Sequence, residues 1–313
     1  MTELASTREA YGQTLVSLGR ENPDVVALDA DLSQSTMTRF FAHEFPQRFF
    51  NCGIAEQNMM GISAGLAASG KVVFASSFAV FATARCFDQL RMSIAQPRLN
   101  VKVVATHGGV TVGEDGFSHH AIEDVALACS LPGFTVVVPA DAVETVQVIR
   151  AAAATPGPFY IRLSRPKTPI VYSNGYQFVL GKAVNVRPGL DATIIANGLM
   201  VFRALEAAAS LSAQGIECRV LSMPTVKPLD EEAIAQAAEE TGAIVTAEEH
   251  LRHGGLGSRV AQVVVQRRAV PMAFVTIRDA YTHSGKPEEL LGEHDLTAAG
   301  IEKAVKSILP KKS

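Results

Sequence analysis

Short apolar runs rich in valine, isoleucine and alanine alternate, through the first half of the chain, with longer segments whose apolar positions recur every three or four residues. The runs are Val25 to Leu28, Lys71 to Ala75, Val101 to Thr106, Thr135 to Val138 and Phe159 to Leu163. Each is too short for a stable helix and nearly continuous in its hydrophobicity, as strands covered on both faces are. Helical spacing covers Thr7 to Arg20, Ile54 to Ser69, Ala82 to Ser93, Ala121 to Ala128 and Ala142 to Ala153. This alternation predicts a parallel sheet with helices on both sides.

Between Pro166 and Pro188 the periodicity lapses into Pro, Gly, Asn and Tyr, as it does in a linker. It then restarts, with strands expected at Ala192 to Ala196, Glu217 to Ser222, Ala243 to Thr246 and Met272 to Ile277, and helices at Val201 to Gln214, Asp230 to Thr241 and Gly257 to Arg268. The chain therefore reads as α/β with two domains, each a mainly parallel sheet flanked by helices: residues 1–170, a linker over 171–188, and residues 189–313.

Composition narrows the function. At 313 residues, 48% hydrophobic and 19% charged, with a formal net charge of -3, the chain has no basic field for nucleic acid or an anionic membrane. No stretch is long and apolar enough to span a bilayer. Cys52, Cys86, Cys129 and Cys218 are scattered without a C-x-x-C pair, which fits buried reduced thiols better than zinc or disulfides. The expected location is the cytoplasm, with no nucleic-acid or membrane partner.

One carboxylate stands out. Glu56 lies among small and apolar residues in Asn51-Cys52-Gly53-Ile54-Ala55-Glu56-Gln57-Asn58-Met59-Met60-Gly61. Burial raises the pKa of a carboxyl from about 4.3, leaving it able to share a proton with a heterocycle. A plain helix start, with Glu56 and Gln57 reaching orphan N–H groups, is the structural alternative. Four more segments fall where strands end and α/β sheets bind ligands. Ala30 to Ser35 offers an acid and hydroxyls, or else an N-cap. Ser76 to Phe81 offers two aromatic rings for a flat pocket, or else core. Thr106 to His120 combines glycines with His107, Asp115 and His119, groups suited to a polyhydroxylated or anionic substrate. Arg162 to Pro166 presents two guanidinium groups, one structural and one able to clamp a phosphate. No P-loop or G-x-G-x-x-G sequence is present.

Taken in order, Asp31-Leu32-x-x-Ser35, Gly53-Ile54-Ala55-Glu56-Gln57-Asn58-Met59, Ser77-Phe78-x-x-Phe81, Phe87-Asp88-Gln89-x-Arg91-Met92, Gly113-Glu114-Asp115-Gly116-x-Ser118-His119 and Ser164-Arg165-Pro166 resemble the C-terminal half of a thiamine-diphosphate transketolase. Met223 to Asp230 extends the resemblance into the second domain. The resemblance implies a pyrimidine-binding domain followed by a transketolase C-terminal domain. The family's diphosphate-binding Gly-Asp-Gly occurs nowhere in the sequence. The resemblance therefore implies one subunit of a split transketolase, with thiamine diphosphate and its Mg²⁺ or Ca²⁺ held by an N-terminal partner subunit, two chains of each.

It also implies roles. Glu56 would bind the aminopyrimidine and promote its imino tautomer, Phe78 and Phe81 would line the ring pocket, and Asp31 would lie near the cofactor. Asp115 would read the donor's C2 hydroxyl and His119 its first hydroxyls. Arg8, Ser35, His107 and Arg165 would grip a sugar phosphate, and no metal ligand is expected from this chain. Glu56, His107, Asp115 and His119 form the implied catalytic set. The family's third pocket aromatic is replaced by Ala82-Thr83-Ala84-Arg85, with a slip in spacing near Arg85. His250, His253 and His283 are expected to pack at the surface or at an interface. A deoxyxylulose-phosphate-synthase-like enzyme and a 2-oxoacid or acetoin dehydrogenase beta subunit share much of this pattern, and a non-catalytic scaffold subunit is the reading from another class.

Overall fold

The computed structural model describes residues 3–173 and 175–309. In chain order its strands are β1 (Leu4–Ala5), β2 (Val25–Asp29), β3 (Phe49–Asn51), β4 (Val72–Phe78), β5 (Val101–Thr106), β6 (Thr135–Val137), β7 (Phe159–Arg162), β8 (Thr168–Pro169), β9 (Val184–Arg187), β10 (Ala192–Ala196), β11 (Cys218–Ser222), β12 (Thr225–Lys227), β13 (Ile244–Leu251) and β14 (Met272–Ile277). Seven form one sheet in the order β12-β6-β7-β5-β4-β2-β3, and five form a second in the order β14-β13-β10-β11-β9. The first is parallel apart from the β12–β6 pair, and the second apart from β11–β9.

The continuous hydrophobicity of the first-domain strands follows from two-sided cover. Side chains alternate faces along a strand. Thus Val26, Leu28, Val73, Ala75, Val101 and Val103 pack on Met59, Met60, Leu90 and Ile94. Their neighbours Val25, Ala27, Phe74 and Val104 pack on Tyr11, Leu15, Phe41 and Ile149 from the opposite helices. The second sheet is sandwiched the same way, by helices Met200–Ser212 and Ala298–Ile308 on one face and Glu231–Thr241 and Leu256–Arg267 on the other.

The structure departs from the sequence reading in several places; the strand Phe49–Asn51 and the helices Arg39–Glu44, Pro287–Glu293 and Ala298–Ile308 have no counterpart in it. The helix expected over Ala82 to Ser93 is two π-helical stretches, Phe81–Arg85 and Gln89–Ala95. Wider i→i+5 turns absorb the slip in spacing near Arg85. Strand β9 lies inside the segment read as linker, and pairs antiparallel with β11. Strand β12, from the second half of the chain, returns to the first sheet beside β6, and Lys227 Nζ donates to the carbonyls of Cys129 and Leu131 at 2.9 and 2.6 Å. Cys52 is only half-buried, whereas the other three cysteines are buried.

Candidate active site

Strand order in the first sheet reverses at β2 and β4: the chain leaves β2 for β3 on one side and returns to β4 on the other. The crevice beyond their C-terminal ends is where an open α/β sheet takes its ligand. The Ala30–Leu32 turn after β2, and the end of β4 running straight into the helical turn Ala79–Arg85, flank it.

Glu56 is the first residue of the helix Glu56–Ala68, yet no side chain caps this helix start. The capping explanation therefore fails. The carboxylate is 5% exposed, and its partner among the described residues is Arg85, whose Nη1 lies 3.1 Å from Oε1. Both border an open depression of about 510 Å³ with Ile54, Ala55, Gln57 and Asn58. Arg85 is half-exposed, and its guanidinium carbon lies 3.9 Å from the centre of the Phe81 ring.

From Arg85 a stack of flat groups runs into the crevice. Phe81 and Phe78 lie with ring centres 5.9 Å apart and planes 18° from parallel, and His107 covers the next face of Phe78 at 3.8 Å. His119 stands edge-on to Phe81 at 5.2 Å. Phe78 is buried at the end of β4. A carboxylate beside stacked aromatic faces suits a flat, nitrogen-rich heterocycle, since it offers an acceptor for ring N–H groups and a surface for the plane.

A cationic cluster lies beside the stack. Arg8 donates to the carbonyls of Ser35 at 2.7 Å and Arg165 at 2.8 Å, and Arg165 donates to the carbonyl of Val112 at 2.8 Å and to Glu114 at 3.2 Å. Burial and then the neighbouring Arg165 lower the pKa of Arg8. Burial pushes His107 down to about 3, helped by Arg8, Arg165 and His119, so its ring is neutral at ordinary pH. It is fixed by a 2.8 Å hydrogen bond between Nδ1 and Thr106 Oγ1, on a backbone with φ of 59°. Two neighbouring guanidinium groups beside a neutral imidazole suit a phosphate with flanking hydroxyls.

The remaining predicted residues lie further out. Asp31 is exposed, with Oδ1 accepting from Asn51 at 3.0 Å, so it is not an N-cap. Asp115 is exposed, and no hydrogen bond holds its carboxylate among the described residues. Arg162 is the structural arginine of its pair: buried, it donates to Asp124 at 2.9 Å and to the carbonyl of Glu249 at 2.9 Å.

Several supporting groups have no signal in the sequence. Asp29, fully buried at the end of β2, accepts from Leu32 N at 2.5 Å, Thr36 at 2.7 Å and Thr38 at 2.9 Å, which shapes the Asp31–Ser35 loop. Burial pushes its carboxyl up to about 6 despite those bonds. The second domain braces the His107–His120 loop: Glu249 Oε1 accepts from Thr111 N at 2.6 Å, and His120 bonds Thr282. A Cβ on Gly109, where φ is 82°, would collide with the Glu249 carboxyl group, so glycine alone fits. His250 is buried interface packing, accepting from Ala126 N at 3.2 Å, while His283 meets Glu293 at the surface.

Comparison with known proteins gives the arrangement a family. Residues 3–170 match the transketolase pyrimidine-binding domain and residues 181–301 the transketolase C-terminal domain. A solved structure described as a split gene transketolase, inactive beta4 tetramer, superposes with a TM-score of 0.91 at 50% identity, covering 97% of this chain and 98% of that one. An apulose-4-phosphate transketolase subunit of Phocaeicola vulgatus is 40% identical over 98% of this chain and 99% of its own length. Human transketolase is 40% identical over 98% of this chain, but the match spans only 49% of that enzyme. The chain belongs to the transketolase family, as the pyrimidine-binding and C-terminal half of a split transketolase.

Proposed function

We propose that this chain supplies the ring-binding and substrate-reading half of a ketol-transfer site, which a partner subunit completes with the diphosphate site and its Mg²⁺ or Ca²⁺. The observation that carries the reading is Glu56: a buried carboxylate beside the Phe81–Phe78 stack, claimed by a half-exposed side chain and open to a depression at the surface. Transketolases depend on thiamine diphosphate, and the site fits its aminopyrimidine ring in shape and polarity. When bound, the cofactor supplies the electron sink that makes the C–C bond beside a ketose carbonyl breakable.

This chain's residues do the rest. Glu56 holds or returns a proton at the ring nitrogen. Phe81 fixes the plane of the ring and keeps water from one face, and Phe78, packed between Phe81 and His107, holds Phe81 in position. His107, neutral and locked by Thr106, offers one nitrogen to a donor hydroxyl, and His119 approaches from the edge of the same stack. Arg8 and Arg165, with the Ser35 loop, receive the phosphate of a sugar phosphate, and Asp115 reads a hydroxyl at the mouth. Asp31, near Asn51, borders the cofactor side.

A partner subunit fits two observations: these residues hold no Gly-Asp-Gly, and the Phocaeicola vulgatus relative, matched over 99% of its own length, is itself named as a subunit. That the split relative is described as an inactive beta4 tetramer supports the need for a partner. Two chains of each kind is the working assembly we propose. The test is to mix this chain with its candidate partner, thiamine diphosphate and Mg²⁺, and offer ketose donors and 2-oxoacids separately with aldose acceptors. Ketol transfer from a ketose phosphate is expected; carbon dioxide release from a 2-oxoacid without ketol transfer would replace the reading with a synthase-like enzyme if the aldose is consumed, or with a dehydrogenase-type subunit if it is not.

A further inference from the structure

We propose that Arg85 is a placeholder for the cofactor's ring: in the chain without cofactor its guanidinium occupies the aminopyrimidine's position, and the ring enters by displacing it. The inference rests on the reading of Glu56 and Phe81 as ring ligands.

The two groups share their chemistry. Guanidinium and protonated aminopyrimidine are both flat, conjugated and edged with N–H donors, so both pair with a carboxylate while laying a face on an aromatic ring. Arg85 meets both conditions at once, with Nη1 3.1 Å from Glu56 Oε1 and Cζ 3.9 Å from the Phe81 centroid. These are the two contacts assigned to the ring itself.

The arrangement also answers an electrostatic need. An unpaired carboxylate that is 5% exposed is costly, and Arg85 is its partner among the described residues. Loss of Arg85 without replacement would strand the charge, whereas exchange of Arg85 for a ring N–H would not. Arg85 can leave, because its side chain is 49% exposed. Its backbone sits at the end of the π-helical stretch Phe81–Arg85. The wide turn thus brings a movable cation over the face of Phe81.

A ring that must displace Arg85 binds with an apparent affinity reduced by the fraction of the site already taken. The test is calorimetric titration of thiamine diphosphate, with Mg²⁺, into the complex of this chain and its partner, for wild type and Arg85→Gln. Arg85→Gln is expected to bind about three- to tenfold tighter at 50 mM salt. Because the Arg85–Glu56 pair is half-exposed and therefore screened, the gain should shrink as salt rises toward 500 mM. Equal or weaker binding by Arg85→Gln, or a gain that salt does not reduce, overturns the proposal. Should Arg85→Gln not assemble, Arg85→Ala, which also removes both the charge and the flat face, is held to the same inequality. A wild-type complex that binds no thiamine diphosphate would sink the underlying reading and this inference with it, whereas wild-type binding with no gain in the variant sinks this inference alone.

Discussion

The two sheets each end near a buried glutamate, and the two carboxylates are used in opposite ways. Glu248, inside β13 just past its last paired residue with β10, is 1% exposed, and both its oxygens are taken by backbone donors: Leu256 N at 2.7 Å and Gly257 N at 2.8 Å, at the start of the helix Leu256–Arg267. Backbone amides cannot move without unwinding that helix. Glu56 is nearly as buried, but its partner is the tip of a half-exposed arginine, and the space in front of it is open. Burial alone therefore does not mark a working carboxylate; a displaceable partner does. Glu249 and Glu144 fall on the structural side with Glu248, since each accepts from a backbone N–H, of Thr111 and of Ala140.

The sharpest break in this comparison is Glu56→Gln. Loss of the proton-handling group is expected to lower kcat of the reconstituted complex by about 10²- to 10⁴-fold or more, with the thermal midpoint unchanged. Steady-state kinetics and calorimetry on the same preparation check both halves. The reciprocal change, Glu248→Ala, strands two buried N–H groups and should destabilise the chain by about 3 kcal/mol. Denaturant unfolding would show this, while kcat per folded complex stays near wild type.

Arg165→Ala probes the substrate side, and its effect should be smaller. Losing a charge-assisted hydrogen bond should raise KM for a phosphorylated donor by about 10- to 100-fold. The unphosphorylated sugar should be little affected; equal losses for both would remove Arg165 from the phosphate site.

A further effect concerns pH. Burial pushes Glu144 up to about 7, against hydrogen bonds from Tyr176 and Ala140 N. The folded chain then keeps this proton where the unfolded chain, with a carboxyl near pKa ~4.3, has lost it. The contribution to stability is full below about pH 4.3 and is lost as pH rises through 7. Glu144→Gln should flatten that decline in the difference between the two unfolding free energies measured across pH 4.5–7.

Much of this can be read from the chain, because its signals are local. The strands β2, β4, β5 and β7 are continuous apolar runs, Glu56 and Phe78 sit in motifs whose order survives in the sequence, and His107 stands in a segment dense in glycine and histidine. What escapes a reading of the sequence depends on distant partners or on backbone shape. Strand β12 has three residues, too few for a periodic signal, and finds β6 across the domain boundary. Arg85 reaches Glu56 through π-helical geometry, which a 3.6-residue spacing does not anticipate. Glu249 looks like any acid in a strand until Thr111 N is placed against it 138 positions away. Asp31 and Asp115 are marked by motif alone, and both are exposed in the chain by itself.

That this chain holds half of a site is tested most directly by measuring ketol transfer, with thiamine diphosphate and Mg²⁺ present, for this chain alone, its partner alone, and the two mixed. Activity in the mixture and in neither component is the predicted result. Turnover by this chain alone, or a folded mixed complex inert with every donor and acceptor pair, would contradict it.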